Sequence, residues 1–239
     1  MTLEGTNTYV LRAPGAAGSV VVDPGPLDEV HLRRVAATGP VELVLLTHGH
    51  PDHAEGARLF QEMTGAPMTA VDPRLVIDES PLTGAETFDG VGGLTVRVLA
   101  TPGHTSDSVS FAVAADEPAL LTGDTILGRG TTVVAHPDGA LAPYLDSLSR
   151  LRDLGPMTLL PGHGPVREDA AALADEYLAH RRERLDQVRA AVAGGARTPA
   201  DVVRVVYADV DPVLWPAAEL SVAAQFDYLA DEHGAADGG

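Results

Sequence analysis

Most apolar residues in the first two thirds of the chain fall into short runs cut off by Gly, Pro or a polar step, with stretches of near-helical spacing between them. Residues 6–11 and 19–22 read as the strands of a β-hairpin, with Pro14, Gly15 and Gly18 in its turn. Asp23-Pro-Gly-Pro26 ends the second strand. Leu27, Val30, Val35 and Ala36 then predict a helix over 27–37, closed by Gly39-Pro40. A strand at 43–46, a helix at 52–64 and a strand at 67–71 complete a βαβ-like alternation. The stretch 72–92 is rich in Pro, Gly, Asp and Glu, which predicts an irregular surface loop over the site. Strands follow at 94–100, 108–113, 118–122 and 157–160. Between the last two, Leu141, Tyr144, Leu145, Leu148 and Leu151 mark an amphipathic helix over 141–154. From residue 167 the pattern is helical, at 168–193, 198–207 and 213–232, broken at Gly194-Gly195 and Asp211-Pro212. Thr198-Pro199 supplies an N-cap and a first-turn proline. This change of pattern predicts two domains, 1–166 and 167–239, with 234–239 as a frayed tail.

The ends of the strands carry the chemistry. The run 43–46 stops at Thr47, and His48, His50, Asp52 and His53 follow within six residues. In open α/β folds, functional groups gather beyond the carboxyl ends of strands. Three further strand-like segments end in turns that deliver His104, Asp124 and His163. A lone His after a Pro-Gly turn is ordinarily a surface residue. Four strand ends that all present imidazole or carboxylate make the arrangement a metal site needs.

Composition narrows the class. A chain of 239 residues with 45% hydrophobic content has enough material for a sizeable core. It has no cysteine, so there is no disulfide framework, and a metal must be held by His and carboxylate. No apolar run approaches the length of a membrane span. The first residues lack a basic and apolar leader, which leaves the cytoplasm as the simplest compartment. The formal net charge is −18, and every basic residue is Arg. That balance opposes nonspecific attraction to phosphate backbones. Nothing in the pattern fixes an oligomeric state.

The motif His48-Gly-His50-Pro-Asp52-His53, followed by distant His104, Asp124 and His163, resembles the metallo-β-lactamase superfamily. The resemblance implies a four-layer αββα sandwich with the site at one edge between its sheets. The glyoxalase II-like pattern places His48, His50 and His104 on one metal and Asp52, His53 and His163 on a second, with Asp124 bridging. Zinc is the expected ion, two per chain, although manganese and iron accept the same donors. Two such ions share a hydroxide and polarise the scissile group, and Asp52 is placed to orient that nucleophile and take its proton. The absence of Cys excludes lactamases with a Cys ligand, and His rather than Glu at position 50 argues against the diiron flavoprotein branch. Met1 to Tyr9, Tyr144 to Leu148, Leu160 to Val166 and Tyr177 to Arg181 resemble the lactamase-β-like protein 2 family. That family joins the hydrolase unit to a small C-terminal winged-helix-like domain, and its mitochondrial branch cleaves single-stranded RNA.

The expectation is therefore a dinuclear hydrolase of a small-molecule ester, thioester, lactone or phosphodiester. The rivals are a single-strand-specific endoribonuclease, a mononuclear iron dioxygenase acting on a persulfide, and a non-catalytic binding protein. Residues 171–239 hold twelve acidic and six basic side chains, whereas a nucleic-acid-binding winged helix is usually basic. His180 and Arg181 are expected to reach over the metals towards an anionic substrate, since Arg pairs bidentately with carboxylate or phosphate. Asn7 and its flanking threonines are expected to shape the pocket. Thr105 and Asp107 are candidates to orient ligands through hydrogen bonds. His31, His136 and His233 read as surface residues, and Trp215 as core or a domain contact.

Overall fold

The computed structural model describes residues 5–134 and 136–237, and side chains as far as 232. Two sheets form its centre. One has the order β1 (Tyr9–Leu11), β2 (Ser19–Val22), β3 (Val41–Leu45), β4 (Met68–Thr69). The other runs β5 (Thr87–Val91), β6 (Leu94–Ala100), β7 (Val109–Ala114), β8 (Ala119–Gly123), β9 (Thr158–Pro161). Both are mixed: β2, β3 and β4 are parallel while β1 is antiparallel, and β9 is parallel to β8 in an otherwise antiparallel sheet.

Period-two alternation explains why the strands read as unbroken apolar runs. Val20, Val22, Leu43 and Leu45 point between the sheets and meet Val96, Val98, Phe111, Val113 and Leu121. Their neighbours Val21, Val44 and Leu46 point the other way, against α1 (Glu29–Ala36) and α3 (Ala57–Thr64), whose Leu32, Val35 and Phe60 face them. In the second sheet, Leu120 and Leu159 turn outward to Tyr144, Leu148 and Leu151 of α4 (Leu141–Arg152) and Leu173 and Tyr177 of α5 (Ala170–Ala193). Strands buried on both faces read as near-continuous apolar runs, broken only by small buried hydroxyls such as Ser110 and Thr122. Each fully buried Val or Leu contributes roughly 1.5–3 kcal/mol of transfer free energy, so these layers hold the sandwich together. The four-layer αββα expectation is met.

Beyond β9, α5 leads to α6 (Pro199–Val206) and α7 (Trp215–Asp237). Thr198 and Asp201 close a capping box at the start of α6, with Pro199 in its first turn. The outer apolar cluster continues without a break from Leu120 to Val202, Val222 and Leu229. Among the described residues no strand follows β9, so α6 and α7 carry no β-wing. No helix of the described residues is long and apolar enough to cross a membrane. Helix α7 continues to Asp237, through most of the predicted tail; 238, 239 and the side chain of His233 lie outside the described residues.

Three segments differ from expectation. Residues 6–8 leave the first sheet and lie against the end of β9, where Asn7 N–H donates to Gly162 O at 2.8 Å. The helix foreseen over 52–64 is two pieces, α2 (Pro51–Ala54) and α3, because Gly56 packs against the 25–26 turn; a Cβ there would stand 2.6 Å from Pro26 O. Within the predicted 72–92 loop, residues 87–91 form β5, an edge strand that offers only Phe88 and Val91 to the core.

Candidate metal centre

Local sequence places the first ligand group. Strand β3 ends at Leu45, Leu46 is still buried, and Thr47 N–H and Oγ1 both donate to the Asp23 carboxylate, at 2.8 and 2.7 Å. His48 then turns inward. The peptide between His48 and His50 is pinned by Gly49 N–H donating to Asp107 Oδ2 at 2.9 Å. His50 is the N-cap of α2 and Pro51 its first residue, so the chain enters a single turn that sets Asp52 beside His53. The remaining donors arrive from the second sheet, His104 after β6, Asp124 after β8 and His163 after β9. Gly162 makes the approach possible. A Cβ at that position would stand 2.7 Å from Asp124 Oδ1 and 2.8 Å from His53 Cε1.

The seven side chains converge. His50 Nδ1 lies 3.0 Å from His48 Nε2 and 3.1 Å from His104 Nε2. On the other side, His163 Nε2 lies 3.2 Å from His53 Nε2, from Asp52 Oδ2 and from Asp124 Oδ1. Asp124 stands between the groups, Oδ1 at 3.4 Å from His53 Nε2 and Oδ2 at 3.7 Å from His104 Nε2. Donors about 2.0–2.1 Å from a tetrahedral ion are about 3.3–3.4 Å from one another, so these spacings fit a shared cation. Candidate sets are His48, His50 and His104; His48, His53 and Asp124; and Asp52, His53 and His163. Asp124 Oδ1 is buried with no hydrogen-bond partner, a costly state for a carboxylate unless a cation faces it.

Outer contacts aim the imidazoles. His53 Nδ1 meets Asp23 Oδ2 at 2.8 Å, His104 Nδ1 meets Val133 O at 2.6 Å, and His163 Nδ1 meets Gly5 O at 2.9 Å. With the proton on Nδ1, a tautomer assigned from these contacts, each ring presents its Nε2 lone pair to the centre. Asp23 is buried, with φ of 51°, at the turn after β2. Thr6 Oγ1 donates to Asp52 Oδ2 at 2.9 Å.

Charge divides the centre in two. Burial, together with the nearby His53, lowers the His48 imidazole well below its usual range, and burial likewise lowers His104. Both are neutral donors. Burial also disfavours charge on His53 and His163, but Asp23 and Asp124 raise the first to about 10, and Asp124 and Asp52 raise the second to about 9. Burial opposes ionisation of Asp52, yet His163, His53 and Thr6 hold it below the ordinary carboxylate range. The second set is thus the more anionic of the two, its carboxylates favouring positive charge at the His53 and His163 positions.

The residues expected to bind substrate lie as follows. Asn7 spends its amide on the carbonyls of Pro161 and Gly164, both at 2.9 Å, on either side of His163. It also lines a cavity of about 430 Å³ with Thr6 and Arg129. Arg181 is turned inward rather than over the open face: it is buried, its Nη2 donates to Thr132 O, and its Cζ lies 5.1 Å from the Tyr144 ring centre. His180 beside it is half-buried, its imidazole lowered by burial and by Arg181 and Arg184. His136, expected as a solvated loop residue, is 3.0 Å from Asp227 of α7. Thr105 bonds Ser108 at 2.7 Å, and Trp215 donates to Val210 O.

Asp23 and the Thr132–Val133 backbone carried no sequence expectation, and Thr6 was expected only to shape the pocket beside Asn7. An Asp ending a strand before Pro-Gly was the only signal for the first.

The pattern of the metallo-beta-lactamase superfamily matches residues 1–163, and that of the beta-lactamase associated winged helix domain matches residues 198–236. A beta-lactamase-like protein 2 homolog of Drosophila melanogaster is 33% identical over 255 residues, covering 97% of this chain and 84% of that protein. An atrochrysone carboxyl ACP thioesterase of Aspergillus fumigatus is 33% identical over 233 residues, covering 87% of this chain and 70% of that one. A metallo-beta-lactamase family protein from Thermus thermophilus superposes with a TM-score of 0.79 at 24% identity, over 95% of this chain and 89% of its own. Matched over most of its length by that pattern, and sharing its fold with a solved relative, this chain belongs to the metallo-beta-lactamase superfamily.

Proposed function

We propose that this chain is a thioester hydrolase working with two divalent metal ions, zinc in the first instance. His48, His50 and His104 would hold one ion, Asp52, His53 and His163 the other, and Asp124 would serve both. In this reading residues 1–166 are the hydrolase unit and 167–239 the helical unit. The observation that carries it is the convergence of seven donors at tetrahedral-edge spacings around the buried Asp124 Oδ1, which accepts no well-formed hydrogen bond. Two ions in such a frame supply an acidified water and polarise the scissile carbonyl.

The chain's own residues do the rest. Asp52 is the more open carboxylate, its side chain 28% exposed against 12% for Asp124, so it is the one facing an incoming substrate. It accepts the proton of the attacking water and returns it to the departing thiolate as the carbon–sulfur bond breaks. Thr6 holds Asp52 Oδ2, fixing the direction of that carboxylate. The thioester class is favoured over lactones and phosphodiesters by the thioesterase among the relatives. Single-stranded RNA is disfavoured by the acidic surplus of residues 171–239.

The test is a side-by-side screen of the zinc-loaded protein on acyl thioesters, lactones, phosphodiesters and single-stranded RNA, with elemental analysis. About two zinc ions per chain and thioester turnover are expected. Asp52→Ala should lower kcat by at least 100-fold, in line with general-base catalysis. A protein that binds no metal, or cleaves no thioester while cutting RNA, would end this reading.

A further inference from the structure

Arg181 presents a problem that packing does not solve. It is buried, no carboxylate pairs with it among the described residues, and its Nε has no hydrogen-bond partner. A buried guanidinium without an anion is costly, and an apolar side chain of the same volume would fill the space at less expense. What the cation does make is a bond from Nη2 to the carbonyl of Thr132 and a contact with Tyr144.

Thr132 lies in the segment between β8 and α4, and that segment touches the candidate centre twice. Thr132 Oγ1 donates to Asp124 O at 2.6 Å, and the next carbonyl, Val133 O, accepts from His104 Nδ1 at 2.6 Å. A second route ends at the same place. The guanidinium lies over the Tyr144 ring, whose hydroxyl donates to Thr125 O at 2.7 Å, one residue beyond Asp124. One helical turn before Arg181, Tyr177 fixes the start of the segment, its hydroxyl accepting from Leu127 N–H at 3.1 Å and donating to Gly130 O at 2.8 Å. The inner face of α5 therefore clamps the strap that presents Asp124 and aims His104.

We propose that Arg181 is a positioning residue that sets the orientation of His104 and Asp124 through Thr132 and Val133. It touches neither metal nor substrate. Among the imidazoles its effect is selective for His104, because His53 and His163 take their outer bonds from Asp23 and Gly5, on the other side of the centre. The inference rests on the metal-site reading above. It also gives the helical unit a direct line to one metal site, since the helix that carries Arg181 packs against α6 and α7.

The test uses the full chain with Arg181→Met, which keeps the volume and removes the donor, and Arg181→Lys, which restores one. Chelator competition on the zinc-loaded proteins measures both affinities, and nitrogen–proton correlation spectra report each imidazole. In Arg181→Met, the ion held by His104 should bind on the order of 10–100-fold more weakly, the range for loss of an outer-shell partner, with a smaller loss at the other ion through Asp124. The His104 Nδ1–H signal should move or vanish while those of His53 and His163 stay, and Arg181→Lys should recover most of both changes. If Arg181→Met does not fold, Thr132→Val, which removes the hydroxyl bonds to Asp124 O and Thr125 O, takes its place and should weaken zinc binding through Asp124. A folded variant that keeps both affinities and the His104 signal overturns the proposal. Wild-type protein that binds no zinc at all overturns the metal-site reading instead, which keeps the two failures apart.

Discussion

Asp23 holds its carboxylate in the midst of three donors, two from Thr47 and one from His53, with almost no solvent access. The two Thr47 bonds fix it to the strand end that launches His48; the third decides which nitrogen of His53 carries a proton. Asn at this position would still accept from Thr47, but its amide N–H₂ would face the His53 Nδ1–H. To avoid two opposed donors, the ring would shift its proton to Nε2 and lose the lone pair it presents to the centre. Asp23→Asn should therefore weaken one of two zinc ions by roughly 10–100-fold, as outer-shell changes do. Titration against a chelator reads this directly, and an unchanged second affinity would show that Asp23 serves packing alone. The one local signal, an Asp ending a strand before Pro-Gly, says nothing of its bond to His53. Asp23 and His53 are 30 positions apart, Thr6 and Asp52 are 46 apart, and only the closed sandwich brings them together. The same limit applies to Arg181, whose face on α5 was readable but whose direction depends on where the strap after β8 lies.

At the scale of elements, legibility followed burial. Strands β2, β3, β7 and β8 are apolar on both faces, so their runs and the polar steps that end them stood out, and the ligands lie at those steps. Strand β5 is an edge with one thin apolar face, and its Thr, Asp and Gly were indistinguishable from loop. What anchors its approach is Glu86, whose carboxylate accepts from Thr83 N–H and Oγ1 and from the N–H groups of Gly84 and Ala85. Burial works against its charge, but the bonds from Thr83 and its neighbours lower its pKa from 4.5 to about 2. A carboxylate depressed in the fold adds stability above its unfolded pKa and loses it as pH falls through the folded one. Glu86→Gln should thus cost about 1 kcal/mol at neutral pH, comparable to loss of a helix cap. The gap between variant and wild type should close as pH falls from 4.5 towards 2. Urea unfolding across that range measures it; a gap that stays constant with pH would assign the effect to shape rather than charge.

For the molecule as a whole, the candidate centre is also a cross-link between the two sheets. His48, His50, Asp52 and His53 follow β3 of the first sheet, whereas His104, Asp124 and His163 follow strands of the second. Elsewhere the sheets meet through the apolar layer of Leu43, Leu45, Val98, Phe111 and Leu121, which does not depend on metal. The fold should therefore survive chelation but lose stability, in contrast to small domains that exist only with their ion. At the centre, removal of metal leaves the His53 and His163 rings packed at 3.2 Å beside the buried Asp124 Oδ1. An ion present at 100 times its Kd stabilises by about 2.7 kcal/mol. In a chain of this size that raises Tm by roughly 5–10 °C per ion. Differential scanning calorimetry on zinc-loaded and chelator-treated protein should show that rise, and Asp124→Ala should abolish most of it by taking a donor from both ions. Equal Tm values with and without zinc would mean that the two sheets close without help from the centre, and that the seven side chains do not bind the ion as a set.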